Sequence, residues 1–315
     1  MRDLRIVFLG TPDFAVGILK KLIAEQKNIV GVITAPDRPA GRGRKLMGSA
    51  VKEYAVSQNL PVLQPTNLKN EDFLNELKAL NANLQIIVAF RMLPKVVWAL
   101  PEYGTFNLHA SILPQYRGAA PINWAIINGE TETGVTTFFI DEKIDTGAII
   151  ATSKTHISER ETVGTLHDTL MKLGSDLVVQ TVAMIEADTV TTKVQETTET
   201  LKDAPKLTPD NTKIDWNKSA ATIDALVRGL SPYPVAWCHL ENGEAAVKVK
   251  IYNTTFEIEQ HSNEIGTLLA TKKELKVAVK DGYILIHEMQ LPGKRKMEVS
   301  ALLNGYSFNE EAKVL

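Results

Sequence analysis

Leu4-Arg5-Ile6-Val7-Phe8-Leu9-Gly10 is an apolar run long enough for one buried strand, and the residues after it decide the fold. Residues 14–25 carry apolar side chains at helical spacing, with Pro12 where a first turn tolerates a missing N–H. Residues 29–34 are again an apolar strand, which makes a βαβ unit. The alternation continues with a helix after Ser49, a helix over 70–80, strands over 84–90 and 104–109, a helix after Pro121 and a strand over 134–139. Strands separated by helices must cross over, so they pair mostly in parallel and bury both faces of the sheet.

Val163, Leu166, Leu170, Leu173, Leu177, Val178 and Ile185 trace one apolar stripe, predicting a long helix that closes a first domain at 1–189. Residues 190–205 are rich in Thr and charge with little to bury, the composition of an extended linker. From 206 to 315 a helix over 219–230 precedes short alternating segments over 235–240, 246–252, 265–269, 275–279 and 284–290, with Asn242-Gly243 as a hairpin turn. The expected fold class is α/β: a Rossmann-like, mostly parallel sheet with helices on both faces, followed by a small C-terminal β-barrel (OB-like) domain. By pattern alone a barrel and a sandwich remain equivalent.

Composition sets further bounds. A chain of 315 residues, 44% of them hydrophobic, can bury at least one full core and is long enough to divide into two domains. Its net charge of −2 excludes binding nucleic acid through bulk positive charge, so any RNA contact must use local patches. Cys238 is the only cysteine, which excludes an internal disulfide and a cysteine zinc site and fits a cytoplasmic protein. No apolar run approaches the roughly 20 residues of a membrane helix, and the first strand is too short for a signal segment.

Asn107 and His109 end the 104–109 strand, where a parallel sheet presents side chains to a ligand crevice. Period-two alternation puts both on one face. A carboxamide donor beside an imidazole can reach one oxygen, which suits acyl transfer when charge develops on a carbonyl. Asp145, before Gly147, would orient the imidazole and sustain its charge if the two meet. The same residues also fit a plainer description, a polar pair ending a strand and an Asp in a turn.

Arg38, Arg42, Arg44 and Lys45 fall within eight residues, separated by Pro39, Gly41 and Gly43. Such a segment is an exposed basic loop able to follow phosphates. It lacks the third glycine of a dinucleotide cradle, and the first βα turn has only Gly10, so no nicotinamide site is expected. From Lys206 to Leu315 there are 14 Lys plus Arg and 14 Asp plus Glu, so any basic surface there is local. Lys248 and Lys250 alternate on one strand, and Lys294-Arg295-Lys296 is a short cluster.

The stretch His109-Ala110-Ser111-Ile112-Leu113-Pro114-Gln115-Tyr116-Arg117-Gly118-Ala119-Ala120-Pro121-Ile122 resembles the signature loop of the formyltetrahydrofolate-dependent transformylases. The Asn-x-His pattern at 107–109 and the Asp-x-Gly-x-Ile pattern at 145–149 agree with it. The resemblance implies Asn107, His109 and Asp145 as a catalytic trio, with Ser111, Ile112, Leu113, Pro114 and Asp141 bordering the folate and Phe90 and Leu93 as pocket neighbours. Residues 10–15, 35–45 and 206–216 resemble the tRNA-directed branch of that superfamily, so the resemblance extends over both domains. That branch implies transfer of a formyl group from 10-formyltetrahydrofolate to methionine on initiator tRNA, in support of translation initiation. It also implies tRNA contacts from Arg38, Arg42, Arg44, Lys45, Lys206, Lys248 and Lys250, with no metal, no membrane and a monomeric protein. One departure is visible: Ala89-Phe90-Arg91-Met92-Leu93-Pro94 is a residue shorter than the usual family stretch and has Arg91 in place of glycine. Rival acceptors for the same chemistry are a sugar amine, glycinamide ribonucleotide or water, and a non-catalytic RNA-binding module is the rival outside enzymes.

Overall fold

A computed structural model describes residues 1–40, 45–196, 200–243 and 245–315. The chain divides into two compact units, the first made of Met1–Gly118, Thr133–Thr155 and His167–Asp203, the second of Ala119–Glu132, His156–Leu166 and Ala204–Leu315.

The first unit holds a seven-stranded sheet in the order Ile149–His156, Glu132–Phe139, Thr105–His109, Leu84–Val88, Ile6–Gly10, Ile29–Ile33, Val62–Leu63. From Thr105–His109 to Val62–Leu63 every pairing is parallel. Ile6–Gly10 and Leu84–Val88 are buried at all positions, as continuous apolar runs should be when helices cover both faces. The helix Asp13–Ala24 buries Phe14, Ala15, Ile18, Leu19 and Leu22. The side chain of Ser49 caps Ala50–Ser57 by accepting from Lys52 N, and that of Asn70 caps Glu71–Ala79 by accepting from Phe73 N. Each cap stabilises its helix by about 1 kcal/mol. The long helix Val163–Glu186 approaches the sheet closely, because a Cβ on Gly174 would lie 2.7 Å from Leu108 Cδ2.

Two features of this unit depart from the sequence reading. Glu132–Phe139 runs antiparallel to Thr105–His109, with Thr136 opposite His109 and Phe139 opposite Phe106. The loop after it therefore begins beside the start of Thr105–His109, where Ile140 N donates to Thr105 O at 3.0 Å. The two ends of the basic segment are strands: Arg38–Ala40 and Lys45–Met47 pair as an antiparallel ribbon. At its base, Asp37 accepts from Lys52 Nζ at 2.5 Å and Gln64 Nε2 at 2.7 Å.

The second unit carries the helix Ala220–Leu230 and an antiparallel sheet in the order Leu268–Ala270, Leu275–Val279, Gly282–Gln290, Val247–Ile258, Ala236–Glu241, Lys313–Val314. Its ends meet, since Leu268 N donates to Ala312 O at 3.0 Å and Val314 N to Gly266 O at 2.9 Å. The sheet is thus a nearly closed barrel, and the ambiguity with a sandwich is gone. Its core contains Ile223, Val227, Val249, Ile251, Val277 and Ile284. Asp224 is 1% exposed yet satisfied by Arg160, Arg228 and Thr254 Oγ1 at 2.8–2.9 Å. Among the described residues, no helix is long and apolar enough to cross a membrane, and no three His, Cys, Asp or Glu side chains form a metal-holding group.

Candidate active site

Asn107 sits between Ile87 and Phe138 in the sheet, and His109 ends the same strand at 6% exposure. His109 Nε2 lies 2.8 Å from the carbonyl oxygen of Tyr116. A carbonyl only accepts, so Nε2 carries a proton and Nδ1 is the nitrogen left for other partners. Nδ1 stands 3.9 Å from Asp145 Oδ2, within reach of ionic attraction and too far for a direct hydrogen bond. The same Oδ2 accepts from Gly118 N at 3.1 Å. Asn107 Oδ1 is buried with no donor among the described residues. An orphaned buried acceptor costs about 1–3 kcal/mol, a deficit that a ligand N–H would remove.

The turn that brings Asp145 to His109 is built by its neighbours. Asp141 Oδ1 accepts from Lys143 N at 2.9 Å and from Thr146 Oγ1 at 2.8 Å, so its carboxylate shapes the turn. Asp145 adopts a φ of 55°, a left-handed conformation that a residue with a Cβ adopts at some cost. Gly147 is required by space, because a Cβ there would lie 1.7 Å from Phe139 O.

The remaining loop residues are used unevenly. Ser111 is fully buried and donates to Gln115 O at 2.6 Å, so its hydroxyl folds the loop. Thr136 Oγ1 donates to Ser111 O at 2.7 Å and accepts from Leu113 N at 3.2 Å. Leu113 is buried, while Ile112 and Pro114 remain partly accessible. Thr136 was not legible as a site residue, since nothing in its own strand distinguishes it from Thr137.

An open cleft of about 600 Å³ lies beside the 91–95 segment, lined by Thr66, Asn67, Arg91, Leu93, Trp98 and Glu142 among others. Leu93 is also part of the core with Val7, Leu9 and Ile33, and Phe90 packs against that core. Arg91 donates from Nη1 to Thr66 O at 2.9 Å and from Nη2 to Pro65 O. Where the transformylase pattern has glycine, this chain therefore ties two loops together. Burial, and behind it the charge of Arg38, bring the Arg91 guanidinium below its ordinary pKa.

Of the basic residues, Arg38 is exposed on the ribbon and Lys45 lies in its second strand, while Arg42 and Arg44 lie outside the described residues. Lys206, Lys248 and Lys250 are exposed in the second unit. Strand alternation turns Lys248 and Lys250 outward while Val249 and Ile251 face the barrel core. Sequence reasoning missed the aromatic residue among them: Lys248 Nζ stands 3.6 Å from the ring centre of Trp237 and Lys213 Nζ 5.8 Å. Trp237 Nε1 donates to Pro209 O at 3.0 Å, and His239 meets its ring edge-on at 5.3 Å. The signal was the alternation of Trp237 and His239 around buried Cys238. Burial pushes the Cys238 thiol up to about 12, leaving it a core residue.

The N-terminal formyl transferase family model matches residues 4–182, and the model of the formyl transferase C-terminal domain matches residues 206–307. The chain belongs to the formyl transferase family and is an enzyme of the transferase class. More particularly, it is 60% identical over 314 residues to the methionyl-tRNA formyltransferase of Flavobacterium johnsoniae, with 100% of each chain covered. It is 50% identical to the methionyl-tRNA formyltransferase of Bacteroides thetaiotaomicron, covering 99% of this chain and 98% of that one. Among solved structures, the fold is similar to the sugar 3N-formyl transferase WlaRD, with a TM-score of 0.64, 20% identity, and 94% of this chain and 100% of that chain covered. HypX from Aquifex aeolicus, solved in complex with tetrahydrofolic acid, matches with a TM-score of 0.63 at 19% identity, over 96% of this chain and 47% of that one.

Proposed function

We propose that this enzyme transfers the formyl group of 10-formyltetrahydrofolate to the α-amino group of methionine on initiator tRNA, as a cytoplasmic monomer. The observation that carries the chemistry is the orphaned Asn107 Oδ1 two residues before His109 on one strand, with His109 Nε2 held by Tyr116 O and Nδ1 3.9 Å from Asp145 Oδ2. Identity of 50–60% to methionyl-tRNA formyltransferases over nearly the full chain supports the acceptor. The catalytic part is assigned to 1–189 and an RNA-holding part to 206–315, with 190–205 between them.

In this reading the amine nitrogen attacks the formyl carbon, the new C–N bond forms, and the bond from carbon to N10 breaks. An α-amino group has a pKa of about 8, so it needs little activation, and the harder tasks are placement and charge stabilisation. Asn107 Oδ1 receives an N–H of the amine while Nδ2 donates to the formyl oxygen. His109, protonated on Nδ1, shares that oxygen, and Asp145 sustains the imidazolium. The 3.9 Å gap between Nδ1 and Oδ2 leaves the proton free to point at substrate. The proton released by the amine returns to N10 through the Asp145 side of the site. Phe90, Leu93, Ser111, Ile112, Leu113, Pro114 and Asp141 border the folate. Arg38, Arg42, Arg44 and Lys45 meet the tRNA from the first unit, and Lys206, Lys248 and Lys250 from the second, where Lys248 is seated over the Trp237 ring.

Formyl transfer from 10-formyltetrahydrofolate to methionyl initiator tRNA, methionyl elongator tRNA and uncharged tRNA tests the proposal. Rapid formylation of the charged initiator alone is expected. Transfer to a sugar amine with neither charged tRNA formylated would overturn the acceptor and keep the chemistry.

A further inference from the structure

Gln195 lies in the stretch whose composition reads as a linker, yet it is only 8% exposed. Its Nε2 donates to two carbonyl oxygens, those of Asp145 and Gly147, each at 2.9 Å. Its Oε1 accepts twice from Arg117, from Nε at 3.2 Å and from Nη2 at 2.6 Å. Both protons and both lone pairs of the carboxamide are thereby used. Reversing the amide would set its oxygen against two carbonyls and its NH2 against a guanidinium, so one orientation is enforced. The backbone beneath it is seated as well, since Lys193 and Ile149 exchange two hydrogen bonds of 2.8 Å.

The partners of Gln195 are the two loops that frame the candidate site. Asp145 and Gly147 bracket the turn that presents the Asp145 carboxylate, in which Asp145 holds its positive φ. Arg117 stands between Tyr116, whose carbonyl meets His109 Nε2, and Gly118, whose N–H holds Asp145 Oδ2. One side chain therefore links the backbone that carries Asp145 to the segment that fixes both His109 and the Asp145 carboxylate.

We infer that Gln195 is a positioning residue for formyl transfer: by clamping the 145–147 turn to Arg117 it sets the separation of His109 and Asp145. It acts through these two residues and touches no reacting atom. The inference rests on the roles proposed above for His109 and Asp145.

The test is a double-mutant cycle read by steady-state and single-turnover formyl transfer to methionyl initiator tRNA. Gln195→Met keeps the side-chain length and removes all four hydrogen bonds. Its kcat is expected to fall about tenfold to a hundredfold, with KM for 10-formyltetrahydrofolate within about twofold, since misplacement acts on chemistry more than on binding. In an Asp145→Ala background the same substitution is expected to cost less than about twofold more, because the residue it positions is gone. A merely structural role would lower the melting temperature and multiply through the cycle undiminished, and that result overturns the inference, as does a Gln195→Met enzyme of wild-type kcat. If Gln195→Met does not fold by circular dichroism, the shorter Gln195→Asn is carried through the same cycle with the same expectation. Asp145→Ala with wild-type activity would remove the catalytic reading itself, whereas an impaired Asp145→Ala beside an unimpaired Gln195→Met removes only the positioning role.

Discussion

In the first unit His109 is buried and held by Tyr116 O, Asp145 is held by Gly118 N, and the turn that carries Asp145 is held by Asp141 and Gln195. On the barrel of the second unit the candidate side chains are exposed, and Lys248 has a tryptophan ring for a partner. The contrast matches two physical tasks. Stabilising charge in a transition state needs donors that do not reorganise, so they are fixed before the substrate arrives. Holding a polyanion needs cations that follow it and release counterions, so fixed geometry is of little use. Changes at His109, Asp145 and the turn that carries it should therefore appear in kcat, and changes at the exposed lysines of the barrel in affinity and salt dependence.

The largest break in that comparison should come from His109→Ala, expected to lower kcat by about a hundredfold or more with tRNA affinity unchanged. Rapid-quench kinetics and filter binding on the same variant would check it. Gly147→Ala is expected to act on both stability and rate, since its Cβ cannot coexist with Phe139 O at 1.7 Å. A loss of about 3 kcal/mol in urea unfolding, with kcat reduced by at least about tenfold, is anticipated. Replacing Lys248 and Lys250 by Ala should leave kcat at saturating tRNA intact. The slope of log affinity against log salt should fall by about 0.7–0.9 for each lysine that meets a phosphate. An unchanged slope would take the barrel face out of the RNA surface.

The smallest effect concerns the base of the ribbon. Hydrogen bonds from Gln64 first, then Lys52, hold the Asp37 carboxyl below its ordinary value. A carboxyl lowered in the folded state stabilises the ribbon above its unfolded pKa, and that contribution is lost as pH falls through the folded one. Near neutral pH the contact is therefore complete, and NMR titration of Asp37 should show its midpoint below that of an unpaired aspartate. Asp37→Asn should abolish this acid transition and leave kcat unchanged.

What could be read from the sequence follows from how locally each feature is encoded. The strands Ile6–Gly10 and Leu84–Val88 announce themselves because burial on both faces demands unbroken apolar runs. Asn107 and His109 share a face by strand period alone. The direction of Glu132–Phe139 was not legible, because strand pattern carries no sign of parallel or antiparallel pairing. Nor was the closure of the barrel, which depends on Leu268 finding Ala312 across the fold. The ribbon at Arg38–Ala40 has no apolar alternation and rests on an ion pair with Lys52. Gln195 is the extreme case, a single polar side chain in a polar stretch, made significant only by loops that folding brings to it.

In the proposed chemistry the Asn107 carboxamide receives the amine and stabilises the formyl oxygen at once, and Asn107→Asp tests this most directly. The substitution preserves shape and removes the Nδ2 donor. Single-turnover formyl transfer to methionyl initiator tRNA is predicted to slow by about a hundredfold or more, with the tRNA dissociation constant unchanged. A single-turnover rate within about threefold of wild type would contradict the account.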